Sequence, residues 1–117
     1  MRRNDIKVVI KPWGRETWFA VEDEYAGKIL EVDEGERFSY QYHRQKKESF
    51  YVLSGRMRYT IDGEEHDVGA GESFSVYPGE RHRVQAITAT VLIEVSTSEL
   101  DDVVRLEDDY GRTLPDH

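Results

Sequence analysis

The chain has four histidines, His43, His66, His82 and His117, and no cysteine. Disulfides, thiolate metal sites and thiol nucleophiles are therefore excluded. His43 follows Gln41 by two positions, so on an extended strand both side chains point to one face. Glu48 opens the next β-rich run, and His82 opens a later one just after the turn Pro78-Gly79. Two imidazoles, one carboxylate and one amide oxygen form a mixed N/O donor set for a single divalent ion. Zn, Mn, Fe, Ni and Co all suit such a set, and residue types alone do not choose among them. The competing reading is four ordinary polar groups at strand ends.

These residues need strands to carry them, and the chain supplies short ones. Ile6–Ile10, Glu16–Val21, Gly27–Val32, Arg37–His43, Glu48–Ser54, Arg56–Ile61, Glu64–Val68, Glu72–Val76, His82–Ile87 and Thr90–Ser96 read as strands. Turn signals separate them. The clearest is Asp62-Gly63, a two-residue hairpin turn that wants positive φ. Even spacing without a helical period predicts an all-β fold, an antiparallel sandwich or small barrel. A closed barrel would gather the strand ends at one mouth. Leu100, Val103, Val104 and Leu106 have helical spacing behind a Ser98 cap, which predicts a short C-terminal helical segment. At 117 residues and 13.7 kDa the chain reads as one domain over 1–117. Its core covers about 6–96, a C-terminal segment 97–112, and a frayed tail 113–117.

The net charge of −8 argues against nucleic-acid and anionic-membrane partners. No apolar run suits a signal peptide core or a membrane span, so a cytoplasmic location is expected. Arg37 shares the alternation of Gln41 and His43. It reads either as an anchor for a substrate phosphate or carboxylate, or as the partner of an interior Glu. Lys46 and Lys47 fall on the loop after His43, placed to attract an anionic sugar phosphate or simply solvated. Phe38, Tyr40 and Tyr42 fall on the other face of that strand, which calls for cover from the N-terminal strands or a dimer partner. Trp13, Trp18, Phe50, Tyr51, Tyr59 and Phe74 read as packing residues, and His66 as solvent-facing. No Gly-x-Ser-x-Gly elbow supports a hydrolase triad.

From Gly35 to Gly55, GERFSYQYHRQKKESFYVLSG resembles the first cupin motif, with Gln41 in place of its first His. From Gly71 to His82, GESFSVYPGERH resembles the second, with Tyr77 in place of a usual Pro. A closer likeness is to the cupin domain of type II mannose-6-phosphate isomerases. KPWG at Lys11–Gly14, Gln41-Tyr42-His43 and DDVVRLEDDYGR at Asp101–Arg112 carry it. The resemblance implies a jelly-roll barrel, a homodimer, and Gln41, His43, Glu48 and His82 as metal ligands. It also implies metal-dependent aldose–ketose isomerisation of a sugar phosphate. Arg37 and Lys46 would then bind the substrate, and Tyr59 or Lys46 would be candidates for the base. The sequence departs from that family between His43 and Glu48, where Arg44, Gln45, Lys46 and Lys47 stand in place of further histidines and an arginine, and at Ser49. Two other cupin roles fit the same motifs: a non-catalytic metal-containing module binding a sugar or small acid, and an iron-dependent oxygenase.

Overall fold

The computed structural model describes residues 1–112, so the tail expected to fray at 113–117 lies outside the described residues. Among these residues eleven strands run in chain order as β1 Lys7–Lys11, β2 Gly14–Val21, β3 Ala26–Val32, β4 Tyr40–Tyr42, β5 Glu48–Ser54 and β6 Arg56–Ile61. They continue as β7 Glu64–Gly69, β8 Ser73–Val76, β9 His82–Ala86, β10 Thr90–Ser96 and β11 Val104–Glu107. Every pairing is antiparallel. They form two sheets, β1-β2-β3-β10-β5-β8 and β11-β4-β9-β6-β7. The sheets face one another as a jelly roll and do not close into the continuous barrel that the strand spacing allowed.

Alternation decides what each sheet hides. Leu30, Val32, Phe50, Val52 and Leu92 from the larger sheet meet Met57, Val84 and Ala86 from the smaller, all buried. Side chains of the opposite phase form rows on the outer face, one of them Val8, Thr17, Ile29, Ile93, Tyr51 and Ser73. The β6–β7 hairpin turns on Asp62-Gly63 as expected, with φ of 47° and 87°. Gly14 has φ 151°, and a Cβ there would sit 1.9 Å from the Glu31 carbonyl oxygen. Only glycine lets β2 start this close to β3.

Two expectations are corrected. The segment read as a C-terminal helix contains strand β11, with Val104 opposite Tyr42 and Arg105 opposite Gln41. Val103-Val104 is β-branched, and the free edge of β4 supplies hydrogen bonds that an isolated turn of helix lacks. The strand expected over Arg37–His43 survives only at Tyr40–Tyr42. Residues 36–39 tie irregularly onto β9, through Phe38 N–H to Val84 O and Ala86 N–H to Glu36 O. The side-chain phase slips there. Phe38 turns into the core against Trp13, with ring centroids 4.4 Å apart, rather than lying on an outer aromatic face.

Candidate metal centre

β4 ends at Tyr42, β5 begins at Glu48 and β9 begins at His82, so three strand ends meet at one level. Gln41 is the direct register partner of His82. His43, Glu48 and His82 are each about 4% exposed, and each offers a donor atom within 4.8 Å of the others. His43 Nε2 is 3.1 Å and His82 Nε2 3.6 Å from the same Glu48 oxygen, Oε2. Both Nδ1 atoms face backbone carbonyls, His43 to Asp102 and His82 to Glu80. A carbonyl only accepts, so each Nδ1 donates, and a ring that gives up its Nε2 proton presents that lone pair to the cluster. That arrangement suits a divalent ion. Gln41 adds an amide on the same cavity wall.

The other Glu48 oxygen, Oε1, lies 3.3 Å from Lys46 Nζ, leaving Oε2 as the oxygen that faces the imidazoles. Lys46 is not a solvated loop residue. It is 6% exposed and lies between Glu48 and Glu94, 3.2 Å from Glu94 Oε2. Burial works against its charge, but the two carboxylates outweigh it and hold the ammonium well above the usual lysine range. Its Nζ is committed to those two carboxylates. Glu48 is held far below the usual carboxylate range: burial opposes this, but hydrogen bonds from His43 and His82 and the charge of Lys46 prevail. His43 is raised, because Glu48 and the Asp102 carbonyl outweigh burial.

One ammonium between two carboxylates leaves a surplus negative charge, and it weighs on Glu94. Burial first, then the charge of Glu48, pushes its carboxyl up against the pull of Lys46 and Lys28. Glu94 Oε2 also lacks an aligned hydrogen bond. Beyond it the charges keep alternating. Lys28 pairs with Glu16 at 3.5 Å and lies over the Trp18 ring, whose Nε1–H donates to Glu16 at 2.8 Å.

The loop carrying Lys46 is fixed from a distance. Asp102 accepts from the N–H groups of Arg44, Gln45 and Lys46 at 3.0, 2.7 and 2.9 Å. Burial opposes its ionisation, but those three donors hold it below the usual aspartate range. All of this opens on a cavity of about 710 Å³ between the β1 and β11 edges, within the range of small-molecule sites.

Arg37 lies outside the cavity wall, because the phase slip at residues 36–39 turns it outward to Asp109, with bonds of 2.6 and 2.8 Å. Tyr59 also lies away from the cavity, stacked between Phe74 and His66. Sequence reasoning passed over Glu94 and Asp102. Glu94 had a signal, since it takes an inward phase of Thr90–Ser96 alongside Leu92 and Ser96. Asp102 had none, because its bonds cross 56 to 58 residues.

Comparison with known proteins agrees with this architecture. Mannose-1-phosphate guanylyltransferase ManC of Salmonella typhimurium is 37% identical over 109 residues, covering 89% of this chain and 23% of that protein. A mannose-1-phosphate guanylyltransferase of Escherichia coli is 36% identical with the same coverage. The chain thus spans about a quarter of the length of the curated relatives it matches. An RmlC-like cupin from Shewanella frigidimarina superposes with TM-score 0.74 at 21% identity, over 82% of this chain and 86% of that one. The family model described as "Cupin domain" matches residues 28–96, the span from β3 to β10 that holds all four candidate ligands, and the chain belongs to that family.

Proposed function

We propose that this protein is a divalent-metal cupin that interconverts an aldose phosphate and its ketose, mannose 6-phosphate being the leading substrate. One observation carries the reading: a His43–Glu48–His82 cluster and a buried Glu94 open on one cavity of sugar-phosphate size. The similarity to enzymes named for mannose 1-phosphate supports the substrate class.

His43 Nε2, His82 Nε2, Glu48 Oε2 and the Gln41 amide oxygen would hold the metal. A divalent ion there supplies Lewis acidity, polarising a carbonyl or hydroxyl oxygen. The remaining work belongs to side chains. As a carboxylate, Glu94 takes the proton from one carbon and returns it to its neighbour, while the hydroxyl proton passes between the two oxygens, so the net reaction needs no co-reactant. Lys46 keeps both carboxylates in place and supplies no proton. Trp13, Leu100 and Val103 wall the cavity against water.

A coupled assay on zinc- or manganese-loaded protein tests this. Turnover of mannose 6-phosphate is expected, with Glu94→Gln slower by about 100-fold or more at unchanged metal content. Absence of turnover in fully loaded protein overturns it. Lys46, standing where the isomerase family carries histidine or arginine, favours a second reading, a module that binds without converting. Its mark is a melting temperature that rises with mannose 6-phosphate while no product forms.

We also propose a cytoplasmic homodimer. Val8, Ile10, Tyr51, Leu53 and Val95 are 43–77% exposed on the outer face of the six-stranded sheet, and a second copy is the occupant that fits. Light scattering is expected to give about twice 13.7 kDa, and Leu53→Lys to halve it. A wild-type mass of one chain overturns the dimer.

A further inference from the structure

In a chain of net charge −8, the cavity wall carries, among the described residues, six cationic side chains against four acidic ones. Most of these cations are engaged. Lys28 pairs with Glu16, Lys46 with Glu48 and Glu94, and Arg112 with Asp108. Lys7 lies over the Trp18 ring. Lys11 and Arg105 differ. Both are only partly exposed, and among the described residues neither has a carboxylate within ion-pair distance. They stand on opposite lips, Lys11 at the end of β1 and Arg105 on β11. Arg105 is also the register partner of Gln41, which places it beside the metal cluster.

We infer that Lys11 and Arg105, backed by Arg112, form a subsite for the phosphate monoester of the ligand, one arm reaching from each lip of the cavity. The inference rests on the sugar-phosphate reading above and moves the phosphate anchor away from Arg37 and Lys46. Three like charges are gathered here, and of these only Arg112 has a carboxylate at ion-pair distance among the described residues. Burial lowers the Lys11 ammonium most, Glu16 opposes this, and the charges of Lys28, Arg105 and Arg112 lower it further. Arg105 is lowered by burial and then by Arg112, with Asp108 opposing. A dianionic phosphate between the lips relieves that repulsion and accepts charge-assisted hydrogen bonds from an ammonium and a planar guanidinium.

The test is calorimetric titration of the zinc-loaded 117-residue chain with inorganic phosphate, mannose and mannose 6-phosphate, using wild type, K11Q, K11R and R105Q. Wild type is expected to bind mannose 6-phosphate at least about tenfold tighter than mannose, and K11Q and R105Q to erase about tenfold of that each. K11R should keep most of it. Metal stoichiometry and melting temperature should not change, which excludes misfolding as the cause. Wild-type affinity in K11Q and R105Q overturns the subsite, as does an equal loss for mannose and mannose 6-phosphate. Phosphate-dependent binding without turnover leaves the subsite standing and counts against the isomerase reading alone.

Discussion

The two ends of the sandwich are built on the same strands from opposite chemistry. Read inward-facing side chains along β3 and they pass from Lys28 to Leu30 to Val32; along β5, from Glu48 to Phe50 to Val52; along β9, from His82 to Val84 to Ala86. β10 runs the other way and passes from Glu94 to Leu92. The change happens at one level because the strands are in register: Lys28 opposes Glu94, and Leu30 opposes Leu92. The apolar end satisfies itself by exclusion of water. The polar end buries charge, and each charge there needs a named partner. Stability and chemistry are thus segregated along the strand axis rather than between domains.

This contrast can be broken from either side. The largest expected effect is at the polar end. Lys46→Met leaves Glu48 and Glu94 buried without their shared cation, and should cost about 3–5 kcal/mol in urea unfolding of metal-free protein. Added zinc should recover part of the loss, because a cation at Glu48 takes over the neutralising role. No recovery would mean the two carboxylates are not electrostatically joined to the cluster. At the apolar end, Leu92→Ala should cost about 2–5 kcal/mol by opening a cavity. Elemental analysis of that variant should still give the wild-type metal content, and a shared loss would show that the two ends are not separable.

The smallest effect is a pH dependence. Asp102 has a folded pKa below its unfolded value of about 3.9, so its contribution is fully present above that pH and is lost as pH falls through the folded value. The gap in melting temperature between wild type and Asp102→Asn should therefore be constant near neutrality and close in acid. A gap that widens in acid has the wrong sign for this role.

Much of the polar end was legible before any geometry. Gln41, His43, Glu48 and His82 sit at motif spacings, and strand alternation alone puts Gln41 and His43 on one face. Its supporting residues were less so. Lys46 is in a loop, where no periodicity reveals that it turns inward, and its partner Glu94 lies 48 residues away. Arg37 was misplaced because alternation presumes a regular strand, and the ties to β9 break the phase at residues 36–39. The segment after Ser98 was misread because Leu100, Val103, Val104 and Leu106 satisfy a helical period locally. The free edge of β4, which draws Val104 and Arg105 into a sheet, is a tertiary fact.

Asp102 holds the loop after His43 with its carboxylate and the His43 ring with its carbonyl. The cluster therefore takes its final shape only once the segment before β11 has docked on that loop. Closure of the β11 edge and order in the cluster are thus one event, and a change that loosens either should loosen both.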